Sequence, residues 1–305
     1  DEAARVAIET GMRASIGLIV IDFPTVWAND ADEYISKGLQ VYEQVRDNAL
    51  ITTAFAPHAP YTVSDAPLQK LNMLAEELDI PIHMHVHETA DEVDMAIKDN
   101  SQHPLDRLHE LGLLSPRLLA VHMTQLTDAD IQAVAEAGVH VVHCPESNLK
   151  LASGFCPVQR LLDAGVNVCL GTDGAASNND LDMFSELRTA AMLAKGVSGD
   201  PCSVDAFTAV RMATINGARA LGIDEVTGSL EIGKAADVIA IDMDRIETQP
   251  MFEPVSQIVY ATGRHQVTDV WIAGKQLLRD GKLTGMDEVA LLKMAKSWEE
   301  RIKED

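Results

Sequence analysis

Basic side chains are scarce. The chain has 24 Lys and Arg against 47 Asp and Glu, a formal charge of −23 over 305 residues. That deficit argues against nucleic-acid phosphate as a partner, because no basic stripe is there to neutralise it. It also disfavours an anionic membrane surface. Cysteines number only four, Cys144, Cys156, Cys169 and Cys202, and none forms a CxxC pair. All four stand in apolar contexts, so a disulfide frame is excluded and a reduced, cytoplasmic protein is expected. No apolar run approaches the roughly 20 residues of a membrane helix. No signal peptide is read at the start, where DEAARVAIETGM predicts a surface helix. No GxGxxG follows a strand and no GxxxxGK[ST] occurs, which weakens a nucleotide-binding fold. HExxH, the HxE plus PCxxC pattern and a Gx-Ser-xG elbow are missing as well.

What is present is alternation. Short apolar, β-branched runs predict strands at 15–21, 51–56, 80–86, 118–122, 139–143 and 167–171. Amphipathic stretches between them, such as 66–79, 103–112 and 127–138, predict helices. Ser64 and Thr127 stand as N-caps, and Gly112 and Gly138 as C-caps. The strands read as continuously apolar, which predicts burial on both faces. Repeated strand–helix units imply a parallel sheet with right-handed crossovers. A β/α barrel is the first reading and an open doubly wound sheet the second. Helical patterns follow at 181–195 and 203–221, then short β segments from about Gly228 and a charged amphipathic helix at the end. The chain therefore divides into a barrel domain, 1–227, and a small β segment with a terminal helix, 228–305.

Polar residues sit where the apolar runs stop. His83, His85 and His87 alternate through HMHVHE, and Glu88 follows at once. LLAVH ends in His122, VHVVH in His143, and NVCLG runs into Asp173. Taken singly, each has an ordinary explanation: a hydrogen-bonded strand-end histidine, or an Asp beside Gly in a turn. Taken together, one such residue at each of several strand ends is the pattern of a barrel active site. Imidazole and carboxylate donors suit a borderline divalent ion such as Zn²⁺. If the strand continued, His83, His85 and His87 would share one face, but Glu88 implies that it is ending.

PHAPYT (57–62), HVHET (85–89), CPESNLKLASG (144–154) and GTDGAASNNDLDMF (171–184) resemble the amidohydrolase superfamily. Within it they most resemble the 5-methylthioadenosine/S-adenosylhomocysteine deaminases, over roughly residues 1–275. The resemblance implies a TIM-type (β/α)8 metal-dependent hydrolase barrel with one divalent ion, Zn²⁺, per subunit. It implies His85 as a metal ligand and Asp173 as the carboxylate that touches the metal and takes a proton from its water. Glu88 resembles the acid that serves the purine ring nitrogen, and so touches substrate. His122 resembles the histidine near the metal-bound water and the developing charge. His58 and Ser177 fall at substrate-contacting positions. His83, His87, His143 and Asn148 are left to packing and support. The implied reaction is hydrolytic deamination of a small nucleoside, with 5′-methylthioadenosine, S-adenosylhomocysteine or adenosine giving the inosine analogue and ammonia. A homo-oligomer is implied too. The competing readings are a hydrolase of another heterocycle (guanine, cytosine or an s-triazine) and a barrel scaffold without catalysis.

One departure stands out. The superfamily carries an HxH pair on its first barrel strand, well before the histidine that His85 matches. Only 84 residues precede His85 here, and the HxxE context argues against His83–His85 being that pair. Six candidate strands are counted where a closed barrel has eight. The barrel is therefore expected to be incomplete at the N-terminus, and these residues alone are expected to bind metal poorly and to be inactive.

Overall fold

The protein is described by a computed structural model covering residues 2–304. Six strands run in the order of the sequence: β1 (Ala14–Val20), β2 (Ile51–Pro57), β3 (Ile82–Val86), β4 (Leu118–His122), β5 (His140–His143) and β6 (Asn167–Leu170). Each pairs in parallel with the next, and β1 and β6 form the edges. A doubly wound sheet would reverse its order at a switch point. This one never does, so the architecture is that of a partial TIM barrel. The expected strands lie within two residues of the observed ones.

The crossovers are helical: Ala31–Val45, Asp65–Leu78, Ala90–Asn100 with Pro104–Glu110, Asp128–Ala137, and Val158–Asp163. Local chemistry sets their ends. Thr127 and Asp130 form a reciprocal capping box, and Gly138 closes the same helix in the left-handed region at φ 70°. Ser64 stands at its cap position without a side-chain cap bond. Gly112 lies one residue beyond the cap at Leu111, at φ 75°. The helix expected over 203–221 is two helices, Ala206–Ala213 and Ile215–Ala220, broken at Thr214.

Burial corrects one expectation. β4 is buried throughout, but β3 alternates, with Ile82, Met84 and Val86 buried and His83 and His85 half-buried. The apolar side of β3 joins the main core, where Leu68, Leu71, Leu108, Leu118 and Val168 fill the layer between sheet and helices. The histidine side faces the strand-end mouth. A smaller cluster inside the sheet contains Leu119, Val121, Val142, Cys144 and Cys169. All four cysteines are free; Cys144, Cys156 and Cys169 are buried, whereas Cys202 is exposed, contrary to its apolar reading.

Beyond the barrel, β7 (Val238–Ile241), β8 (Val267–Ile272), β9 (Lys275–Arg279) and β10 (Lys282–Leu283) make an antiparallel sheet. Arg13 reaches from the start of the barrel to Asp237 at 2.5 Å. Helix Pro254–Tyr260, between β7 and β8, places Val259 in the main core. Helix Glu288–Glu304 ends the described chain. Among the described residues no helix is long and apolar enough to cross a membrane.

Candidate metal centre and active site

Parallel strands deliver their C-terminal ends to one rim. In the β3–β4 pair, His85 lies opposite Val121 and Val86 opposite His122. Just past β6, Asp173 turns inward with φ 63°, and His122 itself has φ 77°. Both are left-handed positions uncommon for residues other than glycine, at the place where the chain leaves the sheet. The result is a cluster: ligand atoms of His85, His122 and Asp173 all lie within 4.8 Å of one another. The His85 and His122 rings stack at 5.3 Å with an interplanar angle of 23°.

Supporting hydrogen bonds decide which atoms face inward. His85 Nδ1 is 2.8 Å from the His58 carbonyl oxygen. A carbonyl only accepts, so Nδ1 carries the proton and Nε2 keeps a lone pair. The same logic holds at His122, whose Nδ1 is 2.8 Å from Asn148 Oδ1. Asp173 Oδ2 accepts from Ser147 Oγ at 2.6 Å and Ser177 Oγ at 2.7 Å, and Oδ1 accepts from Gly174 N at 2.7 Å. Burial by itself would raise this carboxyl, but those donors outweigh it and hold its pKa below the ordinary value. Two imidazole nitrogens and an ionised carboxylate are a donor set for a divalent ion.

Glu88 stands beside this set. Its Oε2 is 3.7 Å from His122 Nε2, and its side chain remains 23% exposed. Its backbone is fixed by Glu92, whose carboxylate accepts from Glu88 N at 2.8 Å and His87 N at 3.1 Å. The His58 ring packs edge-on against His85, 5.0 Å away.

Residues 1–277 match the amidohydrolase family. The chain belongs to the amidohydrolase family. It is 50% identical over 294 residues to a 5-methylthioadenosine/S-adenosylhomocysteine deaminase of Teredinibacter turnerae, covering 96% of this chain and 66% of that one. It is 48% identical over 303 residues to the protein of the same name from Saccharophagus degradans, covering 99% and 68%. Among solved structures, an adenosine deaminase from Xanthomonas campestris with bound zinc superposes with a TM-score of 0.98 at 56% identity, covering 99% of this chain and 69% of that one. An atrazine chlorohydrolase from Arthrobacter aurescens superposes with a TM-score of 0.90 at 22% identity, covering 96% and 67%, a likeness of fold alone. The chain thus spans about two thirds of the length of the relatives it matches.

Within this amidohydrolase the expected residues divide. His85, His122, Asp173, Glu88 and the His58 ring are brought to one rim. Ser177 is there too, with its hydroxyl turned onto Asp173. His83 lies on the same strand face as His85, 6.5 Å away ring to ring, and burial pushes its pKa down to about 4. His87 departs from that face. The strand ends at Val86, and His87 at φ 53° sends its ring to Gln125 O, 2.8 Å from Nδ1, and edge-on to His103 at 4.6 Å. His143 is fully buried, which takes its pKa down to about 3.

Sequence reasoning brought His122 to the metal-bound water beside His85 and Asp173, and the three do cluster; it did not read His122 as a ligand, a role the cluster allows. Ser147 was missed too, although it lies in the quoted CPESNLK stretch. A further omission is Glu186, buried on helix Met183–Ser198, which binds Asn178 Nδ2 at 2.6 Å and Glu146 N at 3.3 Å. Burial, with the nearby Glu146 and Asp180 charges, raises its pKa to about 8. A raised carboxyl contributes stability that is complete below the unfolded value near 4.5 and is lost as pH rises through about 8. The Glu186→Gln variant is therefore expected to lose much of the difference in melting temperature between pH 5 and pH 8. Thermal melts at the two pH values check this; an unchanged difference would place the titration elsewhere.

Proposed function

We propose that this amidohydrolase deaminates an adenosine derivative hydrolytically, converting 5′-methylthioadenosine, S-adenosylhomocysteine or adenosine to the inosine analogue and ammonia. One observation carries the reading: His85, His122 and Asp173 converge from three strands with Glu88 beside them. The names of the relatives support the substrate class, including a 5′-deoxyadenosine deaminase of Methanothermobacter thermautotrophicus that is 40% identical over 299 residues. His85, His122 and Asp173 would hold the ion, and zinc fits both the donor set and the zinc-bound relative. When bound, the ion acidifies water so that a nucleophile is present near neutral pH.

The protein's own groups then manage the protons. The Asp173 carboxylate takes a proton from the attacking water and delivers it to the departing amine. Glu88 gives its proton to the ring nitrogen beside the attacked carbon, which keeps it in the product. As the new carbonyl forms, its hydroxyl proton returns to Glu88. Atoms balance: water and the amino nucleoside give the keto nucleoside and ammonia. The half-buried His58 ring and the short helix Ala175–Asn178 that carries Ser177 bind the nucleoside, and the exposed edge of Glu88 leaves it a way in. The free thiols fit a reducing, cytoplasmic setting.

The test is turnover by the whole protein. Each adenosine thioether is expected to lose its adenine absorbance band while ammonia appears, with activity abolished by a chelator and restored by zinc. Turnover of guanine, cytosine or an s-triazine in place of every adenosine derivative would overturn the substrate class. Protein without metal and without chelator-sensitive activity would favour a scaffold.

A further inference from the structure

Asp173, His122 and Glu88 come from three different strand ends, yet one short stretch of chain touches all three. The helix Pro145–Lys150 presents consecutive residues to two of them. Ser147 Oγ donates to Asp173 Oδ2 at 2.6 Å, and Asn148 Oδ1 accepts from His122 Nδ1 at 2.8 Å. Five residues later Ser153 Oγ lies 3.4 Å from Glu88 Oε1. Ser147, Asn148 and Ser153 are all buried.

The stretch is itself held at both ends. At its start, the Glu146 carboxylate accepts from the Ser185 hydroxyl and from Thr189 Oγ1, while Glu146 N donates to Glu186 Oε2. At its end, Ser153 N donates to Asn148 O at 2.9 Å, and Ser153 O accepts from Thr124 Oγ1 and Gln125 Nε2. Gly154, at φ 133°, permits this closure. A Cβ there would stand 2.5 Å from Gln125 Nε2 and 2.9 Å from Thr124 Oγ1.

Asn148 carries a second feature. Among the described residues its Nδ2 is buried without a hydrogen-bond partner, and so is His143 Nδ1. A buried donor left unsatisfied is costly. Here that cost accompanies an acceptor aimed at His122, which keeps the His122 proton on Nδ1 and leaves Nε2 free for the centre.

We infer that the stretch from Cys144 to Gly154 is the positioning element of the active site, and that Asn148 sets the His122 ring tautomer while Ser147 aims the Asp173 carboxylate. Neither side chain reaches the reacting atoms; each acts through the group it holds. The inference rests on the proposed metal centre but not on the identity of the nucleoside.

Asn148→Asp and Asn148→Ala separate the possibilities, because aspartate presents only acceptors and alanine presents none. The measurements are imidazole ¹⁵N shifts of the histidine-labelled, metal-free whole protein, with His122 assigned from a His122→Gln variant, zinc affinity by chelator competition, and the kcat–KM split. Wild type and Asn148→Asp are expected to keep the Nδ1–H tautomer and similar zinc affinity. Asn148→Ala is expected to shift toward Nε2–H, with zinc affinity about 10–100-fold weaker and the loss of turnover falling on kcat. Ser147→Ala is expected to weaken zinc binding by a similar factor while the metal-free melting temperature stays near wild type. Wild-type tautomer and zinc affinity in Asn148→Ala would overturn the assignment, as would an Asn148→Asp protein that behaves like the alanine variant. Wild-type zinc affinity in Ser147→Ala would remove the Asp173 half. If tautomer and zinc affinity respond as stated but no adenosine derivative turns over, the substrate reading fails and this one stands.

Discussion

Glu88→Gln is expected to lose about 10²–10⁴-fold in kcat while keeping its zinc and its fold. That corresponds to roughly 3–5 kcal/mol of transition-state stabilisation. The substitution keeps the size and planarity of the side chain and removes only the proton that Glu88 is proposed to move. Glu88 lies outside the three residues whose donor atoms cluster, so the metal has no reason to leave. Its side chain is partly exposed, and a neutral amide costs little there. Substrate binding relies on other groups as well, so KM should change much less than kcat. The checks are turnover with an adenosine thioether, zinc content and a melting curve on one preparation. Near-normal turnover with full zinc would remove Glu88 from proton transfer, and loss of zinc would make it a ligand instead.

Much of this centre is legible in the residues because a β/α barrel separates its tasks. Strand interiors carry apolar runs and strand ends carry chemistry, so LLAVH announces both β4 and His122. The alternation of strands and helices predicts a parallel sheet, and the neighbour-to-neighbour strand order bears that out. What stays hidden depends on backbone direction at the exits. His87 reads as a third member of the His83–His85 face until a left-handed φ turns it away. His122 as a donor to the same centre is not a local property, since it follows from the distance between strands far apart in sequence. Ser147 sits on a helix too short to show a period, and although Asn148 beside it reads as a supporting residue, the partners of both are 26 residues away. Glu186 lies within an ordinary amphipathic pattern, and only its burial, with no ion-pair partner among the described residues, makes it unusual. The break at Thr214 goes unread for a related reason. Neither Gly nor Pro marks it; the chain turns there between two packed helices.

Asp173→Ala is expected to remove both metal and activity, unlike the loss at Glu88. Asp173 is the single carboxylate in the donor set, and the two imidazoles that remain are neutral ligands without its charge. The hydroxyls of Ser147 and Ser177 and the Gly174 amide all converge on it, so the deletion also takes away an acceptor that three donors share, although Ser177 Oγ keeps the Gly174 carbonyl oxygen at 3.2 Å. Zinc affinity should fall by more than the 10–100-fold typical of losing a supporting hydrogen bond. Turnover should fall by at least about 10²–10⁴-fold even at saturating zinc if Asp173 takes the water proton as proposed. Saturation with metal is the decisive condition: rescue there would make Asp173 a ligand alone, whereas persistence of the defect assigns it the proton as well. A protein that kept both zinc and rate would reduce Asp173 to the turn residue that Gly-Thr-Asp-Gly superficially describes, and the converging donors around it would then serve the loop and not the reaction.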